Sequence, residues 1–180
     1  MKISIWGDYA CPYCYIGETN LQKAIEELGV QDKIEYDLNA FQIDLDAPKS
    51  TKQTNAVLLA YEKAIPLAKT NAAYDHAKAM GKSVGLIINE ATTYNTNTVD
   101  AHRMVQWAKA TYHDFKLIEN LADDLFYVYY TENKELADHK VLLDVAKKNK
   151  IDTAEVKKIL DSKCLKFNWT CWRSNWRISS

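Results

Sequence analysis

Cys11 and Cys14 form a Cys-Pro-Tyr-Cys motif at the junction of two different residue patterns. The apolar run at residues 3–6 comes just before the motif, and an amphipathic stretch begins at Tyr13. This order predicts a strand, then a pair of thiols, then a helix. Two thiols on the first turn of a helix can close a disulfide, and the unpaired amides there stabilise a thiolate on the first cysteine. The motif therefore predicts thiol–disulfide chemistry near neutral pH.

Two other interpretations of the cysteine pair are half of a zinc site and an incidental pair of core residues. A structural zinc ion needs four ligands. The sequence contains neither a second Cys-x-x-Cys nor a His-x-x-x-His that would complete the set. The strand before the pair and the helix after it favour redox chemistry, which requires no metal and no organic cofactor.

Length and composition exclude several classes of function. The chain has 180 residues, enough for one substantial core or for a domain with a large insertion. Lys and Arg number 23 against 24 acidic residues, a net charge of -1 that gives no basic surface for nucleic acid. No apolar run approaches the ~18 residues that a membrane span requires. The motif lies too near the first residue for a signal peptide to precede it, so we expect a soluble, cytoplasmic protein.

The residues around the motif predict an α/β fold. Residues 2–7 read as a buried strand, residues 13–28 as a helix and residues 33–42 as a second strand with alternating apolar positions. A strand–helix–strand connection of this kind makes the two strands parallel. We therefore assign residues 1–43 to a β-α-β unit that carries the thiols.

Residues 44–162 change to a helical period of 3.6 throughout, which predicts a large all-helical insertion. Pro66 begins one predicted helix and Gly81 ends it. The other predicted helices begin at Thr98, Phe115, Asp138 and Asp152.

Residues 163–180 differ in composition from the rest of the chain. They hold three of the five tryptophans and two of the four cysteines, Cys164 and Cys171, and no acidic residue. One interpretation is a specialised aromatic tail. The other, which the composition favours, is a reading frame that changed near Ser162. Cys164 and Cys171 could pair under oxidising conditions, but in a cytoplasmic protein two incidental thiols are the simpler interpretation.

The segment from Asp8 to Gly17 resembles the active-site segment of the DsbA-like thioredoxin-fold family, in its FrnE-like branch. The segments 97–103, 130–133 and 138–142 resemble the helical insert of that branch. The resemblance implies a thioredoxin-like β-α-β unit with a helical insertion, acting as a thiol–disulfide oxidoreductase. It also implies that Cys11 is the exposed nucleophile, that Cys14 is the resolving thiol, and that Pro12 and Tyr13 tune the pair.

The chain departs from this family after the predicted insert. Family members return to a strand–strand–helix unit whose first strand follows a cis-proline that lies against the thiols. The prolines of this chain are Pro12, Pro48 and Pro66, all earlier in the sequence. We therefore expect the C-terminal β-β-α part to be missing and the incomplete sheet to favour homo-oligomers.

Three further residues are candidates for the surroundings of the thiols. Trp6 and Tyr9 flank the motif and are expected in the core or in the lining of a pocket, where either could touch a substrate. His102 lies near the thiols if the family layout holds. A single histidine on a helix is, however, more often a surface or capping residue.

Three functions remain open on the sequence. The first is a dithiol oxidoreductase that reduces or exchanges disulfides of protein or small-molecule partners. The second is a glutathione-dependent isomerase or transferase of similar fold, although such proteins use one reactive residue where this chain has two cysteines. The third is a truncated remnant that retains the motif without turnover.

Overall fold

The thiol motif lies on a small β-α-β unit, seen in a computed structural model that describes residues 1–51 and 53–162. Strand β1 (Lys2–Gly7) is followed by helix α1 (Pro12–Glu27) and strand β2 (Glu35–Ala40). The two strands are parallel, in register from Lys2 opposite Glu35 to Gly7 opposite Ala40. The predicted strand–helix–strand unit is confirmed, and its first strand has the predicted bounds.

Six α-helices follow β2 in the part of the chain that the structure describes. They are α2 (Asn55–Lys63), α3 (Leu67–Ser83), α4 (Val99–Tyr112), α5 (Phe115–Tyr130), α6 (His139–Lys148) and α7 (Thr153–Asp161). Residues 53–162 are all described, and their regular structure is helical apart from one isolated bridge between Thr54 and Tyr94. This confirms the predicted fold class, a mixed α/β protein that is mostly helical. The boundaries 43/44 and 162/163 of the proposed units stay predictions.

Aspartates begin three of these helices by capping free backbone amides. The side chain of Asp114 accepts from Leu117 N, that of Asp138 from Lys140 N, and that of Asp152 from Ala154 N. The predicted starts at Asp138 and Asp152 are confirmed. Thr98 also stands at the predicted position before α4, but its side chain makes no capping hydrogen bond.

Two details of the helical prediction are wrong. Gly81 does not end α3, which continues to Ser83. A Cβ at this position would lie 2.6 Å from Ile88 Cδ1, so the glycine allows close packing. The helical pattern is also not continuous, because residues 41–54 and 84–98 are mostly irregular, with a 3-10 turn at Glu90–Thr92.

Helix α5 is the centre of the core. Its completely buried side chains include Leu121, Leu125, Phe126, Tyr129 and Tyr130. These positions repeat at intervals of three and four residues and form one wide apolar face. Through Phe126, which stacks on Tyr15 with ring centroids 4.8 Å apart, α5 holds the thiol-bearing helix α1 against the helical part of the chain.

Arg103 of α4, which pairs with Asp100 on the same helix, joins α4 to the end of α7. Arg103 donates to Asp100 at 2.6 Å and also to the carbonyl oxygens of Ile159 and Ser162. These bonds compensate the guanidinium for its lost hydration and satisfy carbonyls at the end of a helix. The end of α7 is thereby fixed beside the first turn of α4.

The described part of the sheet contains β1 and β2. The tail at residues 163–180, with Cys164 and Cys171, lies outside the described residues, and the homo-oligomer expected from the sheet stays a prediction. No helix in the described ranges is long and apolar enough to cross a membrane.

Candidate active site

The two thiols occupy the first turn of α1. Cys11 stands at the N-cap position with extended backbone (φ -106°, ψ 110°), and Pro12 is the first helical residue. Proline fits there because the first helical amides have no partner within the helix. Cys14 N donates to Cys11 O at 3.1 Å, and Cys11 N donates to Asp8 O at 3.0 Å. Both thiols are free and half-buried, so it is their charge rather than their exposure that separates them.

The pKa values of the two thiols move in opposite directions. The hydrogen bond from the Cys14 thiol and the backbone amides of Cys14 and Tyr13 lower the pKa of Cys11 to about 6, against the effects of burial and of the Asp8 charge. The same hydrogen bond, together with burial, raises the pKa of Cys14. At neutral pH, Cys11 is therefore a thiolate and Cys14 is a protonated thiol.

Tyr13 connects the motif to the helical part of the chain. Its hydroxyl lies 3.1 Å from Nδ1 of His76 on α3, and its side chain is 49% exposed. Nothing in the sequence separated His76 from the other scattered histidines. The second residue between the cysteines thus contacts α3 and is also open to a docking molecule.

Asp8 is the buried carboxylate behind the motif, and its side chain is only 1% exposed. It accepts hydrogen bonds from Ala10 N at 3.2 Å, Ile43 N at 2.7 Å and His102 Nε2 at 3.3 Å. Burial raises the pKa of Asp8, but the bonds from His102 and Ile43 outweigh it and hold the pKa below its usual value. Since an ionised carboxylate only accepts, Nε2 of His102 carries the hydrogen.

The remaining predicted neighbours divide between core and surface. Tyr9 is buried, with its ring 4.7 Å from that of His102 and 5.1 Å from that of Phe126. His102 is buried too and contacts Asp8, so it belongs to the surroundings of the motif and is not a surface residue. Trp6 is 54% exposed, so it is not a core residue, and its place in the lining of a pocket stays a prediction.

Glu18 is a neighbour of the thiols that sequence reasoning missed. It lies one helical turn after Cys14 and is only 5% exposed. An atom placed as a Cβ on Gly7 would lie 3.3 Å from Glu18 Oε1 and 3.5 Å from Cys14 Sγ, so these two groups border the same point. Burial, with the charges of Asp123 and Glu119, raises the pKa of Glu18 to about 8. The four-residue spacing from Cys14 was the available signal.

A cleft of about 250 Å³ begins beside the motif at Asp8 and Ala10. Its wall includes the carboxylates of Asp44, Glu62 and Glu90, and the described residues that line it include no lysine or arginine. Burial and the nearby charge of Cys11 raise the pKa of Glu90 to about 7. The cleft beside the motif is therefore lined by acidic groups.

Sequence comparison identifies the family to which this arrangement of strand, cysteine pair and helix belongs. A family model described as the DSBA-like thioredoxin domain matches residues 2–166. The chain belongs to this family. In this structure Cys11 and Cys14 lie at the junction of β1 and α1. No curated protein matches the chain in sequence.

Solved structures share the fold of this DSBA-like domain. A probable DsbA oxidoreductase from Streptomyces coelicolor is 24% identical, with a TM-score of 0.79, over 90% of this chain and 68% of its own. The cytosolic disulfide reductase DsbM from Pseudomonas aeruginosa is 14% identical, with a TM-score of 0.65, over 97% of this chain and 78% of its own. At these identities the likeness establishes the fold. The FrnE-like branch stays a prediction.

Proposed function

We propose that this protein is a thiol–disulfide oxidoreductase that uses Cys11 as nucleophile and Cys14 as resolving thiol. The observation that carries the proposal is the pair of free thiols on the first turn of α1, whose pKa values are shifted apart. A thiolate is the attacking form, and it must coexist with a second thiol that waits for the next step. Membership of the DSBA-like family supports the same chemistry.

Reduction of a substrate disulfide takes two displacements. The Cys11 thiolate attacks one sulfur of the substrate, the substrate S–S bond breaks, and the first substrate thiolate leaves. The Cys14 thiol loses its proton and attacks Cys11 Sγ, which forms the Cys11–Cys14 disulfide and releases the second substrate thiolate. The substrate gains two electrons and the protein loses two. A dithiol reductant then restores the reduced pair.

The same steps in reverse oxidise a dithiol substrate. Stabilisation of the Cys11 thiolate favours the reduced protein and makes its disulfide more oxidising. The geometry therefore supports reduction or exchange of disulfides and leaves the direction to the redox partners that the protein meets.

The surface around Cys11 favours the disulfides of proteins, or of small molecules other than glutathione, over glutathione itself. Tyr13 presents exposed aromatic surface within the motif, which suits a peptide. Glutathione carries two carboxylates, whereas the wall of the adjoining cleft carries Glu62, Glu90 and Asp44. Like charges disfavour its binding. A glutathione-dependent isomerase or transferase is therefore the weaker candidate.

Trapping of a mixed disulfide tests the assignment of the two thiols. In a background with Cys164→Ser and Cys171→Ser, the Cys14→Ser variant should react with a chromogenic aromatic disulfide and keep one arylthiol bound. Cys11→Ser should release chromophore no faster than the aromatic disulfide reacts with free thiols in solution, because the remaining thiol is protonated. The readouts are chromophore release and intact protein mass.

Reduction of insulin by the intact pair tests turnover. The background protein should accelerate precipitation of insulin in the presence of a dithiol, and both single variants should lose this acceleration. A faster reaction of Cys11→Ser than of Cys14→Ser would reverse the two roles. Formation of the mixed disulfide without any insulin reduction would support the non-catalytic remnant instead.

The cytoplasmic location and the oligomeric partner stay predictions.

A further inference from the structure

Glu18 is a buried carboxyl group that the two displacements do not use. Its side chain lies inside the protein, and Oε2 has no hydrogen-bond partner in the described part of the chain. Burial of a carboxyl group without compensating bonds destabilises a fold. A buried group retained at such a cost, bordering the same point as a reactive thiol, is a candidate for a functional role.

The position of Glu18 on α1 directs it toward the resolving thiol. Cys14, Glu18 and Gln22 follow one another at intervals of four residues and share one face of the helix. Gly7 on β1 lies against this face, and the point where a Cβ would stand is within 3.3 Å of Glu18 Oε1 and 3.5 Å of Cys14 Sγ. The lack of a side chain at Gly7 leaves the space between the carboxyl group and the thiol open.

Two further carboxyl groups continue the row on α5. Gln22 Nε2 donates to both oxygens of Asp123, at 3.2 and 3.3 Å, and so fixes this carboxyl group against α1. Glu119 lies one turn earlier on α5 and pairs with the exposed Lys116 at 2.6 Å. The charges of Asp123 and Glu119 both act on Glu18. Two acidic groups of α5 therefore act on Glu18, and one of them, Glu119, is 18% exposed.

We propose that Glu18 relays the proton of Cys14: it accepts this proton during the second displacement, while the charges of Asp123 and Glu119 strengthen it as a base. The Cys14 S–H bond breaks, the proton goes to a carboxylate oxygen of Glu18, and the sulfur electron pair attacks Cys11 Sγ. The substrate thiolate leaves from Cys11. In the oxidising direction Glu18 returns the proton to Cys14 as it leaves. The inference rests on the proposed function, because it concerns a step of that reaction.

The charged groups around Glu18 support this assignment. Burial, then Asp123 and Glu119, raise the pKa of Glu18 to about 8, and no cation is among the groups that act on it. Burial raises the pKa of Asp123 to about 6, with Gln22 and Lys116 acting in the opposite sense. A base whose pKa lies near the working pH can both take and return a proton. On its other side Glu18 faces Cys14, whose pKa it helps to raise.

Release of a chromogenic thiol from Cys11 isolates the proposed step. The protein, in the Cys164→Ser and Cys171→Ser background, is first converted at acid pH to a mixed disulfide between Cys11 and an arylthiol. A jump to higher pH then starts the attack by Cys14, and the first-order release of arylthiol is recorded from pH 5 to 10. The variants are Glu18→Gln and, as a matched control on the exposed side of α1, Glu27→Gln.

We expect release from the unsubstituted protein to rise with pH and to level off above pH 8, as Glu18 becomes ionised. Glu18→Gln should release the arylthiol roughly 10²-fold more slowly at pH 7, since it lacks a positioned base. Its rate should keep rising about tenfold per pH unit, because hydroxide then removes the proton. Glu27→Gln should match the unsubstituted protein. The rate at which Cys11 is alkylated in the reduced proteins measures the reactivity of the first thiol. This rate should change little between the variants and the unsubstituted protein.

Asp123→Asn tests the relay without alteration of the buried base. Removal of the Asp123 charge lowers the pKa of Glu18, so the midpoint of the release profile should move to lower pH. If the circular dichroism spectrum shows that Glu18→Gln is not folded, the release profile of Asp123→Asn tests the proposal in its place.

The two proposals fail in different ways. A folded Glu18→Gln protein with an unchanged rate and profile overturns the relay and leaves the oxidoreductase intact, as does an unmoved midpoint in Asp123→Asn. An unsubstituted mixed disulfide that forms but never releases its arylthiol contradicts the oxidoreductase itself, and the relay with it.

Discussion

The thiols could be predicted from the sequence because their chemistry depends on neighbours within one helical turn. Cys11, Pro12 and Cys14 lie within four consecutive positions at a strand–helix junction, and this local pattern determines their geometry. Asp8 and Glu18 were missed because a carboxylate in a sequence is normally a solvated side chain. Their burial depends on α4, α5 and β2, which are distant in the chain.

At the scale of single residues, we predict that the reactivity of Cys11 depends on a hydrogen-bond donor at position 14. Cys14→Ala removes the bond that lowers the pKa of Cys11 most, so this pKa should rise from about 6 toward 9. Cys14→Ser retains a hydroxyl donor and should preserve most of the lowering. The rate of iodoacetamide alkylation against pH measures both midpoints. Equal midpoints in the two variants would assign the lowering to the backbone amides alone.

Helices were predictable where apolar residues recur at regular intervals, and loops were not. Helix α5 begins at the predicted residue, Phe115, since its buried positions follow the helical period without interruption. The helical period predicted over residues 44–162 fails at 44–54 and 84–98, which are mostly irregular. Short apolar groups in such segments satisfy a helical template by chance, and their conformation depends on contacts such as the bridge between Thr54 and Tyr94.

At the scale of elements, we predict opposite effects for two glycine substitutions inside helices. Gly81→Ala places a methyl group 2.6 Å from Ile88 Cδ1, in a well-packed region, and should lower the free energy of unfolding by about 1–3 kcal/mol. Gly17→Ala meets nothing within 4 Å and should raise that free energy by about 0.5–1 kcal/mol. Urea denaturation of both variants provides the comparison. If Gly81→Ala is as stable as Gly17→Ala, the close packing of α3 against Ile88 is wrong.

The fold class could be predicted from the order of patterns, while the packing of the elements could not. A β-α-β unit followed by helices is visible in one dimension. That α5 packs against α1 follows from the side chains that meet, such as Phe126 on Tyr15 and Asp123 on Gln22. These contacts bring acidic groups together inside the protein, and stability must then depend on pH.

For the whole molecule, we predict that stability decreases as pH rises from about 5 to 7, above which the lowered pKa of Cys11 acts in the opposite direction. The pKa of Glu18 rises on folding from 4.5 to about 8, so between these values the unfolded chain has lost a proton that the folded protein keeps. Folding is then opposed, by on the order of a few kcal/mol at pH 8. Glu90 and Asp123 act in the same direction, with pKa values of about 7 and 6.

Glu18→Gln should flatten this dependence and unfold at a higher urea concentration than the unsubstituted protein at pH 8. Asp8 makes stability change with pH in the opposite direction. Its pKa is lowered by folding, so its contribution is present above the usual aspartate range and is lost as pH falls through the lower, folded value. Urea midpoints from pH 3 to 9 measure both effects. A midpoint for Glu18→Gln that changes with pH as steeply as that of the unsubstituted protein would contradict the assignment.

The hydrogen bonds of Asp8 also imply an order of events while the chain folds. The arrangement of Cys11 and Cys14 needs only bonds within one helical turn, whereas Asp8 reaches Ile43 and His102, 35 and 94 residues away. Contacts across longer loops have a greater entropic cost and form later. We therefore expect a newly synthesised chain to carry a reactive thiolate before it carries the buried surroundings of that thiolate. Cellular thiols and disulfides then meet this site first in a folding intermediate.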